Sequence, residues 1–200
     1  MTAMPRIDRA SLMTLEAYAR ERPQFRARVM AHKKNRTVQL GDLLMLIFED
    51  ELTIRYQVQE MLRVERIFEE EGIRDELAAY NPLVPDGRNL KATMMLEFPD
   101  PDERRKWLED LIGVEDKAWV QVTGYEPVWA IADEDLEREN EQKTSSVHFL
   151  RFELTDDMAQ ALKKGAEIVA KGGRYFIDSV IEPGYADSGP DQRAGNKKKS

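Results

Sequence analysis

The segment from Glu49 to Gly72, EDELTIRYQVQEMLRVERIFEEEG, is the longest helical stretch and constrains the fold more than any other. At 3.6 residues per turn its apolar stripe is Ile54, Val58, Met61, Val64 and Phe68, wide enough to pack on a core. Gln57 and Glu65 lie one turn either side of Met61 and share that stripe. A carboxylate on a buried face is costly unless a cation or hydrogen-bond donor meets it. The pattern therefore predicts an interior polar centre around Glu65, filled by basic or imidazole groups from distant segments.

Upstream, Asp8 or Ser11 can cap a helix with the face Leu12, Leu15, Glu16 and Ala19. Pro23 is expected to end it and to start a second helix reaching about Lys33, on which Phe25, Val29 and His32 align. Thr37 to Leu40 and Leu43 to Phe48 read as extended segments separated by Gly41-Asp42. Beyond the long helix, Gly72 is its expected stop, and Ile73 to Tyr80 forms a shorter helix ended by Asn81-Pro82.

Turn chemistry fills Asn81 to Asn89, and Lys91 to Phe98 then alternates with Met94, Leu96 and Phe98 on the buried side. Asp100, Pro101 and Glu103 mark a helix start, closed by Gly113. Lys117 to Thr123 and Val128 to Ala132 form a hairpin pattern, and Ser146 to Leu154 a strand with His148, Leu150, Phe152 and Leu154 on one face. Thr155 caps a helix to Lys164, and Gly172-Gly173 sits between two further strand candidates, Ala166 to Ala170 and Arg174 to Ile181. Helices followed by hairpins give an α+β fold, with N-terminal helices and a long central helix packed on a mainly antiparallel sheet. Residues 1–182 are expected to form one domain and residues 183–200 a disordered tail.

Composition removes several functions. The net charge of −8 argues against non-specific nucleic-acid binding. No apolar run nears the ~20 residues that span a bilayer, and the N-terminus lacks a signal-peptide core, so a cytoplasmic protein is expected. The absence of cysteine excludes disulfides, thiolate catalysis and thiolate metal sites. No phosphate-binding glycine loop, nucleophile elbow or H-E-x-x-H motif is present.

The two histidines, His32 and His148, both point with apolar neighbours. With Glu65 they make a candidate two-histidine, one-carboxylate site for a divalent metal; the competing reading is ordinary buried polar contacts. Arg26, Arg28, His32, Lys33, Lys34 and Arg36 form a basic cluster, of which Arg28, His32 and Arg36 can share one side of a helix. They suit either a small anion or pairing with Glu65 and the acids Glu49, Asp50 and Glu51. Lys143 to Ser146 with Arg151 is a further anion-binding candidate, and Ser146 with His148 lacks the orienting acid a nucleophilic pair needs. The expected polar centre thus comprises Arg28, His32, Arg36, Gln57, Glu65, His148 and Arg151.

The phrases HKKNR (32–36), YQVQEMLR (56–63), NPLVPDG (81–87) and KTSSVHFLRFEL (143–154) resemble a bacterial family catalogued as domain of unknown function 3501. The likeness extends over most of residues 5 to 181 and brings no established activity or ligand set. It implies a redox or oxidative-stress setting, with rubrerythrin-like or iron–sulfur proteins as partners. Two functions follow as expectations: an accessory, partner-binding protein, or an enzyme or ligand-binding protein for a small anionic substrate.

Overall fold

A computed structural model of the chain describes residues 7–132 and 145–170. The expected strand pair at the N-terminal side is present as β1 (Thr37–Leu40) and β2 (Leu44–Phe48), with Gly41 at φ 73° in the turn between them. β3 (Asn89–Leu96) and β7 (Val147–Glu153) extend the same sheet, and β6 (Ile131–Ala132) closes its far side. The order is β1-β2-β3-β7-β6, and every pairing is antiparallel. A smaller antiparallel sheet is built from β5 (Val128–Trp129), β4 (Trp119–Val122) and β8 (Ile168–Ala170), in that order.

Alternation places the side chains of the large sheet as expected. Met94, Leu96, Leu150 and Phe152 are buried on one face, packed with Leu44 and Leu46 and with Leu108 from α4 (Pro101–Asp110). On the opposite face Phe149 packs against the cluster of Ile54, Val58 and Leu62 from α2 (Glu51–Val64) and of Ile73 and Leu77 from α3 (Glu70–Tyr80). The α+β arrangement, with the central helix against a mainly antiparallel sheet, is thus observed. Capping follows the sequence at two helices. Asp100 accepts from the amides of Asp102 and Glu103, and Thr155 accepts from that of Met158 at the start of α5 (Asp156–Lys163).

Four expectations need correction. Pro23 does not divide the N-terminal helix: α1 runs from Leu15 to Lys34 with Pro23 inside it. Pro23 is exposed, as is Ala19, whose carbonyl loses its helical donor, so water can take that donor's place. Thr14, rather than Asp8 or Ser11, caps this helix; Asp8 caps a separate single turn, Arg9–Ser11.

The central helix is shorter than its sequence pattern. Glu65 is its C-cap, Arg66 turns left-handed at φ 55°, and α3 begins before Gly72 rather than after it. That turn puts Val64 and Phe68 outside, and the buried stripe is Ile54, Val58 and Leu62 with Thr53 and Gln59 beside it. The hairpin after β4 also divides. Val128 and Trp129 pair with β4, whereas Ile131 and Ala132 cross to β7 in the other sheet. The second arm of the hairpin around Gly172-Gly173 and the tail 183–200 lie outside the described residues. No helix among the described residues is long and apolar enough to cross a membrane.

Candidate functional site

The polar residues expected in one centre occupy separate places. Nearest to that expectation is the junction where the end of α1, the end of β2 and the start of α2 meet. Asp50 is the N-cap of α2, accepting from the Thr53 amide at 3.0 Å while Thr53 Oγ1 accepts from the Asp50 amide at 2.9 Å. The second Asp50 oxygen accepts from His32 Nε2 at 2.6 Å and lies 3.5 Å from Arg36 Nη1. Arg36 also donates through Nε to the Phe48 carbonyl at 2.8 Å and through Nη2 to that of Glu49 at 3.1 Å. Burial works to raise the Asp50 pKa; the His32 and Thr53 hydrogen bonds and the Arg36 charge outweigh it and hold the carboxyl below its ordinary value. The His32, Arg36 and Asp50 side chains are each about one-third exposed, so a small anion or proton donor has access to the pair.

The principal carboxylate between α1 and α2 is Glu60, not Glu65. Its oxygens accept from Arg22 Nε at 2.7 Å and Nη2 at 2.8 Å, from the fully buried Tyr18 hydroxyl at 2.7 Å, and from Arg63 Nη2 at 3.2 Å. The Arg22 hydrogen bonds, against the opposing effect of burial and with help from Tyr18 and Arg63, pull its pKa down to about 2. Burial, and then the neighbouring Glu60 carboxylate, push the Tyr18 phenol well above its usual range. Nearby, Gln59 is fully buried and accepts from the Met13 amide at 2.7 Å. These contacts join α1 and its approach to α2 and use up the polar capacity of the groups involved.

Glu65 is exposed at the end of α2, where its charge and burial together raise the pKa of Glu76 on α3, burial being the larger cause. Its expected burial among cations is therefore corrected. The helix ends at Val64, so the residue never enters the stripe drawn through Met61. Gln57 is half-buried on α2 and joins neither cluster. Arg28 is exposed, its guanidinium 5.0 Å from the Phe25 ring centroid.

His148 is buried, as its place in β7 predicts, but in another neighbourhood. Its Nε2 donates to the Ser145 carbonyl at 2.8 Å, and its Nδ1 lies 3.9 Å from Glu115 Oε2. Arg151 is half-buried and pairs with Glu153. Lys143 and Thr144 lie outside the described residues. The candidate metal ligands His32, Glu65 and His148 are not brought together, and no three His, Asp or Glu side chains among the described residues are placed to hold a metal ion. The residues present do not fit that site.

Sequence reasoning missed Tyr18, Arg22, Glu60 and Glu115, and it offered Glu49 only as a partner for the basic cluster. The i,i+4 spacing of Tyr18 and Arg22 and the i,i+3 spacing of Glu60 and Arg63 were visible signals that each helix aims a polar group to one side. Glu49, just past the end of β2, is buried and accepts a hydrogen bond from Thr93 Oγ1 in the middle of β3 at 2.6 Å, a pairing across 44 positions that no local pattern announces.

A family model described as "Protein of unknown function (DUF3501)" matches residues 6–174. A crystal structure of a novel protein of unknown function from Burkholderia pseudomallei is similar, with 57% sequence identity and a TM-score of 0.78, covering 82% of this chain and 85% of that one. No curated protein matches.

Proposed function

We propose, from the premise that this chain belongs to the DUF3501 family of proteins of unknown function, that it is a cytoplasmic accessory protein that binds a partner rather than a catalyst. One observation carries the reading: Val64 is 57% exposed and Phe68 69% exposed at the corner joining α2 to α3. Around them stand the exposed acids Glu65, Glu69, Glu70 and Glu71, with Glu70 paired to Arg9 and one exposed cation, Arg66, in the turn itself. An apolar pair with a mainly acidic rim fits a protein partner that offers an apolar notch bordered by lysines or arginines. The polar side chains best suited to chemistry are meanwhile engaged in joining α1 to α2. The redox or oxidative-stress setting rests on the family resemblance, which makes a rubrerythrin-like or iron–sulfur protein the partner to try first. In sedimentation of the chain with a purified rubrerythrin-like protein, a complex should form and Phe68→Asp should abolish it. No complex, or one indifferent to Phe68→Asp, contradicts the proposal.

A second reading has its own support in His32, Asp50 and Arg36. An imidazole held by a carboxylate beside an arginine is the kind of group that takes a proton from, or orients, a small anionic ligand. Titration with inorganic phosphate, followed through the His32 ring resonances, tests it, and elemental analysis of the purified protein tests for a bound divalent metal. Saturable His32 shifts favour this ligand-binding or enzymatic role; unchanged resonances count against it.

A further inference from the structure

The loop that leads into β3 holds Asp86-Gly87, and no other aspartate in the chain precedes a glycine. Asp86 and Gly87 are exposed, and Gly87 sits at φ 91° with nothing within 4 Å of where a Cβ would stand. An Asp86 carboxylate oxygen accepts from the Arg88 amide at 2.8 Å, the turn in which an aspartate bonds its own backbone two residues on. That hydrogen-bonded ring closes around the Gly87 peptide and brings Asp86 Cγ beside the Gly87 nitrogen. The Gly87 N–H donates to no protein group among the described residues, so no bond has to break before that nitrogen reacts.

We propose that Asp86 is a modification site, where the chain rearranges to the isoaspartyl form with water as the sole co-reactant. The Gly87 nitrogen attacks Asp86 Cγ, and the new C–N bond closes a cyclic imide between two groups already held side by side. One carboxyl oxygen leaves as water, taking the Gly87 amide proton and a proton from solvent. Water then adds at either imide carbonyl. Opening at the main-chain carbonyl leaves Gly87 bonded to Cγ, with one carbon inserted into the backbone; opening at Cγ restores aspartate. The water lost in the first step returns in the second, and nothing is oxidised or reduced. Glycine permits the reaction, because a Cβ on the following residue would crowd the ring closure.

The inserted carbon falls between fixed points. The Asp86 amide donates to Asn89 Oδ1 at 3.2 Å, Asn89 Nδ2 donates to Glu153 at 3.3 Å, and the Leu154 amide donates to the Arg88 carbonyl at 2.9 Å. Rearrangement therefore disturbs the start of β3 and its pairing with the end of β7.

Ageing the full chain in warm neutral buffer tests this, followed by electron-transfer mass spectrometry, which separates the two linkages at equal mass. Isoaspartate should accumulate at residue 86 of the folded chain at a rate comparable to that of the urea-denatured chain. Gly87→Asn should slow it about tenfold or more, since asparagine accepts the left-handed turn while its Cβ hinders closure. Asp86→Glu, whose ring would be one atom larger, should abolish it, and this variant keeps Gly87 should the first disturb the turn. Absence of conversion in the folded chain, or conversion undiminished in either variant, overturns the proposal.

Discussion

Arg22 grips Glu60 with two parallel hydrogen bonds of 2.7 and 2.8 Å, one to each carboxylate oxygen. The arginine is on α1 and the glutamate on α2, so a single fork fixes the register of one helix on the other. The buried Tyr18 hydroxyl completes the arrangement one turn earlier on α1.

Replacing Glu60 with Gln should therefore cost roughly 2 kcal/mol in chemical denaturation, with Arg22 and Tyr18 left short of an ionised acceptor and solvent around Arg22 limiting the loss. The loss should depend on pH. The folded carboxyl titrates at about 2 against an ordinary 4.5, so its contribution is complete above the ordinary value and disappears as pH falls from there toward 2. Wild-type and Glu60→Gln stabilities should converge over that acid range.

Asp50 has two tasks that substitution can separate. Asp50→Asn keeps an oxygen for the Thr53 amide but loses the charge facing His32 and Arg36; Asp50→Ala loses both. The alanine variant should lose about 1–2 kcal/mol through the cap alone, and the asparagine variant less. Because the Asp50 carboxyl is held below its ordinary value, its charge-dependent share is present above that value and is lost as pH falls through the lowered one. Thermal melts of the two variants at neutral and acid pH check both points.

Gly72 is helical, where alanine ordinarily stabilises by about 0.5–1 kcal/mol. Here an added Cβ would stand 2.7 Å from Ile67 Cγ2. That methyl is carried on the Ile67 β-carbon, whose branching makes χ1 stiff, and Ile67 packs against the α2–α3 cluster, so it has little room to yield. Gly72→Ala should accordingly destabilise by about 1–2 kcal/mol, and should become neutral or favourable when Ile67 is also alanine. A double-mutant cycle measured by urea unfolding decides.

Strand alternation was the most readable part of the sequence, because burial of every second side chain is enforced by the backbone itself. Met94, Leu96, Leu150 and Phe152 all lie on the face their spacing gives them. His148 is buried for the same reason, although its companion is Glu115 rather than His32. Helix stripes were less faithful where an end was misplaced. Extending α2 through Phe68 assigned Glu65 to the interior, whereas one left-handed residue, Arg66, ends the helix and turns the remainder outward. Pro23 misled in the opposite sense, since one missing N–H on an exposed side is a small loss beside the packing of Tyr18, Phe25 and Val29 along a single helix. The Arg22–Glu60 fork was illegible because charges far apart in sequence carry no record of which will meet.

Since Glu65 is exposed, Glu65→Ala should change stability by no more than about 0.5 kcal/mol, unlike the loss expected of a buried carboxylate. Its removal should also lower the titration midpoint of Glu76, whose pKa Glu65 helps to raise. A carboxyl-detected NMR titration of wild type and variant reads that shift directly.

The most direct test of the proposed role is an amide NMR footprint of the isotope-labelled chain on addition of the purified rubrerythrin-like protein. The account predicts shifts and broadening centred on Val64 to Glu71, with the His32, Asp50 and Arg36 signals unmoved. A footprint centred on those three residues instead, or none anywhere, would contradict it.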